Sequence, residues 1–344
     1  MKQFVLQNII RKNILSMNPY SCARDEFKGS EGVFLDANEN PFGNLNRYPD
    51  PYQTELKQAL GSLNNIDTSK IFVGNGSDEV IDLTFRIFCN PGKDKALLFP
   101  PTYGMYAVCA EINEVETLEI PLTPDFQLNI PKIETVLNDD LLKVIFICSP
   151  NNPTGNLIKR EDIEFILNNF AGLVFVDEAY IDFAGTKSWI NEIAKYPNLI
   201  VSQTFSKSRA LAAARIGIAY SRPEIILFYN KIKYPYNVSK LNQQAGLEAL
   251  TAVDDFTQRK NTILDEKEKL KAKLNRLSCV TGIYPSDANF LLVEFTDANK
   301  IYSELIARKI ITRNRSSVVN SCIRITVGTP EENNILINAL LELL

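Results

Sequence analysis

An open α/β sheet, mostly parallel, with helices on both faces and a smaller α/β domain after it, is the fold class that this sequence predicts. Three observations carry the expectation. Between about residues 71 and 221, short β-rich runs alternate with helical stretches, the pattern of strands joined by crossover helices. Several of those runs are apolar on consecutive residues instead of alternating, the mark of strands buried on both faces. A chain of 344 residues also exceeds what one hydrophobic core usually spans, so two domains are expected.

The elements follow in order. The N-terminal stretch MKQFVLQNIIRKNILS has a short apolar segment interrupted by Asn8 and Arg11, with no cleavage site of small residues. Residues 1–30 therefore read as an amphipathic arm and not as a signal peptide. A large domain over residues 31–240 holds the strand candidates KIFVG, KALLF, VETLEI, KVIFIC, GLVFVD, LIVSQT and ARIGIAY. Helices are expected between them at 78–88, 103–112, 160–168 and 223–231. From 240 to about 277 the pattern is helical for an unusually long span ending in DEKEKLKAKLNRL. One long interdomain helix is expected there, opening a small C-terminal domain over residues 241–344. The runs NFLLVEF, KIYSELIARK, IITRNR, CIRITVGT and PEENNILINALLEL complete it.

Composition removes whole classes of function. Net charge is −4, from 37 basic against 41 acidic residues, and no basic block stands out, which argues against a nucleic-acid partner. No apolar run approaches the roughly 20 residues of a membrane span. Cys22, Cys89, Cys109, Cys148, Cys279 and Cys322 are scattered without a C-x-x-C pair, as suits reduced thiols in a cytoplasm. The most restrictive number is zero histidines. That excludes imidazole bases, Ser-His-Asp catalysis and histidine-liganded metals, and no metal site is expected. Proton transfer near neutral pH falls to a carboxylate, a tyrosine, a cysteine or a lysine of depressed pKa.

In open α/β sheets ligands sit at the carboxyl ends of strands. Polar clusters stand there after each of five strands: Gly74-Asn75-Gly76-Ser77-Asp78, Pro100-Pro101-Thr102-Tyr103, SPNNPTG, Asp177-Glu178-Ala179-Tyr180 and Thr204-Phe205-Ser206-Lys207. GNGSDE precedes an apolar-periodic helix, so its backbone N–H groups suit a phosphate. It is not G-x-G-x-x-G, because Glu79 occupies the third glycine position, and no P-loop occurs, which argues against nicotinamide and nucleoside-triphosphate cofactors. Asn152, Asp177 and Lys207 fall one β-α unit apart, which places them on neighbouring strand ends. An amine, an acid, an amide and a phosphate nest around one pocket describe a phosphorylated aldehyde with a basic ring nitrogen. Pyridoxal 5'-phosphate has those features.

The ordered motifs SPNNPTG, VDEAY, SK followed by ARIG, and IRITVG resemble the fold-type-I pyridoxal-phosphate aminotransferases. More narrowly, LDANENPFG, RYPDP, NGSDEVIDL, PPTYGMY and IRITVGT are similar to the histidinol-phosphate aminotransferase family of histidine biosynthesis. The resemblance runs from Asn18 to the C-terminal helix. It implies that Lys207 is the lysine joined to the cofactor and the shuttle for the substrate proton, and that Asp177 partners the pyridinium. Tyr180 and Asn152 would donate to the ring oxygen, and Tyr103 would stack on the ring. Arg215, the hydroxyls of Thr204 and Ser206, and the amides of Gly76, Ser77 and Asp78 would hold the phosphate. Tyr48 would reach the cofactor phosphate of a second subunit, so a homodimer is implied. Substrate contacts would come from Tyr20, Asn38, Arg313 and Arg324, with Arg315 a register slip away from Arg313.

Relatives often carry an aromatic residue and a glycine after the lysine, whereas SKSRALAAARIG has Arg209 and Ala213. Arg209 would either alter closure of the site or face solvent. Many related decarboxylases and synthases stack a histidine on the ring, which this chain lacks, so Tyr103 points to amino transfer between histidinol phosphate and glutamate or 2-oxoglutarate. The alternatives are an aromatic or other amino-acid aminotransferase, a threonine-phosphate decarboxylase and, in another class, a non-catalytic cofactor-binding regulator.

Overall fold

The computed structural model describes residues 3–22 and 32–343. Its larger sheet is built from β1 (Ile71–Asn75), β2 (Lys95–Leu98), β3 (Glu116–Glu119), β4 (Leu142–Cys148), β5 (Leu173–Asp177), β6 (Leu199–Thr204) and β7 (Ile216–Tyr220), in the order β1-β7-β6-β5-β4-β2-β3. All neighbours run parallel except β7, which is antiparallel to both β1 and β6. Every residue of β5 and β7 is buried, as the unbroken apolar runs require of strands covered on both faces.

The helices of this part are α1 (Lys12–Ser16), α2 (Thr54–Asn64), α3 (Ser77–Phe88), α4 (Met105–Ile112), α5 (Ile130–Glu134), α6 (Arg160–Asn169) and α7 (Pro223–Ile232). Two hydrophobic clusters result, one on each face of the sheet. Leu56, Ile145, Ile163, Val176 and Val201 belong to one, and Phe72, Phe85, Tyr106, Phe146 and Phe175 to the other. The expected arm is described only in part, because residues 1–2 and 23–30 lie outside the described residues. Ile9, Ile10 and Ile14 are buried in the second cluster, and the Arg11 amide donates to the Ile87 carbonyl at 3.0 Å. This portion is therefore laid on the body of the protein.

The span expected as one long helix is two, α8 (Lys240–Thr251) and α9 (Val253–Leu274), parted at Ala252 with φ −81° and ψ 59°. The break falls between β-branched Thr251 and Val253. Asp254 and Asp255 then occupy the first turn of α9, where carboxylates favour a helix start. Beyond it, β8 (Val280–Ile283), β9 (Phe290–Phe295), β10 (Arg313–Asn314) and β11 (Cys322–Thr326) form an antiparallel sheet in the order β10-β11-β9-β8. The helices α10 (Ala298–Ala307) and α11 (Pro330–Glu342) join α9 in closing its core over Leu270, Leu291, Val293, Leu305 and Leu340. Helix α11 starts on a capping box between Thr329 and Glu332, with Pro330 at its first turn.

A separate cluster joins the two sheets. Tyr180 and Phe183 from beyond β5 pack with Phe290 of β9, with Ala288 in the loop before it and with Ile263 and Leu264 of α9. Next to it the Asp287 amide donates to the Gly155 carbonyl at 2.7 Å, and the Leu157 amide donates to the Asp287 carboxylate at 3.1 Å. Gly155 has φ +85°, and a Cβ there would lie 2.6 Å from the Ser286 hydroxyl. The loop needs a glycine twice over, for its backbone conformation and for this approach.

A second glycine decides where β7 begins. A Cβ on Gly217 would lie 2.2 Å from the Gly76 carbonyl carbon and the Ser77 nitrogen, backbone atoms that cannot rotate aside. Gly217→Ala is expected to push β7 away from the start of α3 and to cost about 1–3 kcal/mol, the usual range for overpacking. Urea unfolding checks this: the midpoint should fall with the slope unchanged.

Candidate active site

The carboxyl ends of β1, β4, β5 and β6 converge on one rim, and the smaller sheet faces it. Asp177 closes β5 and is only 2% exposed. Its Oδ2 accepts the Tyr106 hydroxyl at 2.7 Å and its Oδ1 the Ala179 amide at 3.0 Å. This carboxyl lies above the ordinary carboxylate range: burial pushes it up first, the hydrogen bonds from Tyr106 and Ala179 pull it down, Asp78 pushes it up and Lys207 pulls it down.

Lys207 follows β6, with its ammonium 5.6 Å from the centre of the Tyr180 ring. The residue is exposed along its length, but partial desolvation of the amine lowers its pKa first and the charge of Arg324 second, against the opposing pull of Asp177 and Asp78. The amine thus loses its proton more readily than a surface lysine would. The segment after it is no helix. Left-handed residues at Ala210 (φ 58°) and Arg215 (φ 50°) flank a single 3-10 turn over Ala212–Ala214, and the loop returns into the antiparallel strand β7. Arg209 turns away from solvent: its guanidinium lies 3.8 Å over the Phe256 ring and donates to the Ala249 carbonyl at 3.2 Å. It ties the loop to the α8–α9 junction, while Ala213 is exposed.

The nest at α3 is narrower than the sequence suggests. The Gly76 amide is already spent on the Gly74 carbonyl at 2.9 Å, leaving the first-turn amides of Ser77 and Asp78, which have no helical acceptor. Gly76 sits at φ +80°, and a Cβ there would lie 2.5 Å from an Arg215 nitrogen. Arg215 pairs with Asp78 at 3.2 Å and reaches the Ser206 hydroxyl at 3.5 Å. Asp78 also accepts the Tyr103 hydroxyl at 3.0 Å. The Thr204 hydroxyl does not face this nest. It is buried between the Ile216 carbonyl (3.2 Å) and the Ser206 hydroxyl and amide (3.0 and 3.2 Å), so it holds Ser206 in place.

From the smaller sheet, Arg324 donates to the Asn152 side-chain oxygen and lies 5.3 Å over the Phe290 ring. Arg313 is its direct cross-strand partner, so the two share a face. Arg315, two residues on, lies on that face too, and its charge is disfavoured first by burial and then by Arg324 and Arg313. The Nε atoms of Arg315 and Arg324 are both buried without a partner. Cations here outnumber the carboxylates Asp78 and Asp177, an arrangement made for anions.

Three expected contacts lie apart from this cluster. Tyr20 is 74% exposed, and Asn38 is exposed with φ 53°. Tyr48, 48% exposed, stacks on Tyr236 at 4.3 Å beside a surface groove lined by Asn38, Leu45 and Leu241. Sequence reasoning missed Tyr106, which lies in the first turn of α4, three residues after Tyr103 in the preceding loop. It also missed Phe290 and Asn237, for which no local signal exists. Asn237 donates to Glu79 at 2.8 Å and to the Val73 carbonyl at 3.1 Å, bracing the turn into α3.

Glu178, next to Asp177, is fully buried. It accepts from the Trp189 amide at 2.7 Å, the Gln203 side chain at 3.0 Å and the Ser188 hydroxyl.

A family model described as aminotransferase class I and II matches residues 14–340. The chain is 49% identical to the histidinol-phosphate aminotransferase of Cytophaga hutchinsonii, covering 98% of this chain and 99% of that protein. Among solved structures, the histidinol-phosphate aminotransferase from Clostridium acetobutylicum shares the fold with a TM-score of 0.80 at 23% identity, over 87% of this chain and 91% of that one. The Sinorhizobium meliloti histidinol-phosphate aminotransferase, in complex with pyridoxal-5'-phosphate, gives 0.78 at 22% identity, over 87% and 84%.

Burial raises the Glu178 pKa from 4.5 to about 7 against the pull of its hydrogen bonds. Because the folded value lies above the unfolded one, the contribution to stability is full below pH 4.5 and is lost as pH rises through about 7. Glu178→Gln should flatten that fall, as read from urea midpoints across this pH range.

Proposed function

The chain belongs to the class I and II aminotransferases, and we propose that it exchanges an amino group between L-histidinol phosphate and 2-oxoglutarate with pyridoxal 5'-phosphate as cofactor. The observation that carries the substrate reading is the 49% identity, over nearly all of both chains, with a histidinol-phosphate aminotransferase. The donor set fits the cofactor. A bare Gly76 beside Arg215 and two unused helix amides suit a phosphate. Asp177 suits a ring nitrogen, and the unpartnered Nε atoms of Arg315 and Arg324 suit a second anion. When bound, the cofactor supplies an aldehyde for the lysine amine and an electron-withdrawing ring that makes the substrate α-proton labile.

Each residue then has a role that its surroundings support. Lys207 Nζ, with its lowered pKa, would take the proton from the substrate α-carbon and deliver it two atoms along, to the carbon that was the cofactor's aldehyde. Asp177 keeps the ring nitrogen protonated. Asn152 uses its oxygen for Arg324, which leaves its NH2 to donate to the ring oxygen together with the Tyr180 hydroxyl. Tyr103 stacks on the ring face. Ser77, Asp78, Ser206 and Arg215 hold the phosphate, where Arg215 would be shared with the Asp78 carboxylate. Arg313 and Arg324 grip the anionic end of either substrate, with Arg315 beside them.

We further propose a cytoplasmic homodimer in which Tyr48 of one subunit reaches the phosphate of the other, with Tyr20 and Asn38 as added contacts. Supporting it, Leu45 and Leu241 are large apolar side chains left exposed beside Tyr48 in one surface groove.

Two measurements test this reading. Lys207→Ala should abolish turnover, and borohydride should no longer fix the cofactor to the chain; labelling at a different lysine refutes the assignment. Arg324→Ala should weaken kcat/KM for histidinol phosphate by roughly ten- to a hundredfold, since charge-assisted bonds contribute about 1.5–3 kcal/mol and each decade needs about 1.4. Unphosphorylated histidinol should lose little. Equal losses for the two would mean that Arg324 does not read the phosphate, and faster turnover of aromatic amino acids or threonine phosphate would redirect the substrate.

A further inference from the structure

Tyr106 touches Asp177 yet takes no part in the steps above. It sits on α4, 0% exposed, and its hydroxyl donates to Asp177 Oδ2 at 2.7 Å across 71 residues of chain. The ring is held in place by neighbours. Tyr103 meets it edge-on at 5.5 Å and 86°, and Phe146 stacks at 5.1 Å and 24°. Phe146 in turn leans on Phe85 and Phe175 at 5.0 and 4.9 Å. In so aromatic a cluster a phenylalanine would pack equally well, and a phenol without an acceptor would be costly to bury. The hydroxyl is therefore explained by its acceptor and not by packing.

Resting on the proposed function, we infer that Tyr106 is a positioning residue for the reaction: its O–H pins one oxygen of Asp177, so that the carboxylate is held as an anion with its remaining lone pairs aimed at the cofactor's ring nitrogen. An ionised carboxylate offers about four lone-pair sites. Tyr106 fills one on Oδ2 and the Ala179 amide fills one on Oδ1, which fixes the plane of the group and leaves acceptor capacity toward the rim. Without the phenol the carboxylate would have a single tether and would turn about its Cβ–Cγ bond.

The charged and titratable groups facing Asp177 are Tyr106 on α4, Asp78 on α3, Cys148 at the end of β4, Lys207 after β6, and Tyr103 and Tyr180 from the adjoining loops. Against the push of burial, the Tyr106 hydrogen bond is the strongest pull keeping Asp177 ionised. Removing it makes the carboxylate more basic. The proton shared with the ring nitrogen then moves toward the acid, and the ring withdraws electrons less.

The test is Tyr106→Phe in the full chain, which keeps the ring and deletes one oxygen. Affinity of the apoenzyme for pyridoxal phosphate is measured across pH. It should fall roughly tenfold or more, and its acid limb should move to higher pH because Asp177 protonates sooner. With the cofactor labelled at the ring nitrogen with 15N, the bound signal should move toward the unprotonated value. The loss in kcat should be about tenfold while KM for histidinol phosphate changes by less than about threefold. In an Asp177→Asn background, Tyr106→Phe should add nothing, since the two groups act as one unit. An unmoved acid limb and 15N signal, or losses that multiply in the double variant, overturn the inference. So does a variant that no longer folds, because the hydroxyl would then serve stability. A wild type that takes up no pyridoxal phosphate would overturn the proposed function as well, whereas an active wild type with an unaltered Tyr106→Phe overturns this inference alone.

Discussion

A carboxylate buried at the end of a central strand is the constraint on which the rest of this structure depends. Asp177 is all but sealed from water, and an unpaired charge so placed would cost several kcal/mol. Three surrounding elements offset that cost. Helix α4 brings the Tyr106 hydroxyl, the turn after β5 brings the Ala179 amide, and the end of β6 brings the positive charge of Lys207. The aromatic stack of Phe85, Phe146 and Phe175 keeps α4 at the one distance where the phenol reaches its acceptor. The carboxylate thus sits at the end of a fully buried strand, against a packed aromatic stack.

The smaller sheet completes the rim from the other side. Its position is set by the Tyr180–Phe290 edge contact at 5.2 Å, by the Asp287 links to the Gly155 loop, and by Lys267, whose ammonium donates to the Ser286 and Ala288 carbonyls at 2.7 and 3.0 Å. Antiparallel register then places Arg313 opposite Arg324. Like charges so paired repel each other, and burial adds to the strain on Arg324. A cluster of that kind is stabilised by an anion.

Much of this was readable in the chain. All seven strands of the large sheet fall on the β-rich runs singled out in the sequence; the inner strands are apolar at consecutive positions because both their faces are buried, whereas the edge strand β3 (ETLE) is not. The motif spacing put Asn152, Asp177 and Lys207 at the ends of neighbouring strands, where the structure has them after β4, at the end of β5 and after β6. The misreadings have physical causes. The span after 240 reads as one helix because no proline marks an interruption, yet it parts at Ala252. Gly76 and Thr204 looked available as donors, but local backbone carbonyls had already taken them.

By itself, then, the sequence determined the order of elements, the sheet they build and which side chains stand at its carboxyl edge, because periodicity and turn chemistry act over a few residues. Which of those side chains meet was decided only by tertiary structure. Tyr106 reaches Asp177 across 71 positions, Arg215 reaches Asp78 across 137, and Arg324 reaches Asn152 across 172. No local pattern encodes such pairs. They follow from which helix lies under which strand and from how far two sheets approach, quantities set by close packing of the whole core.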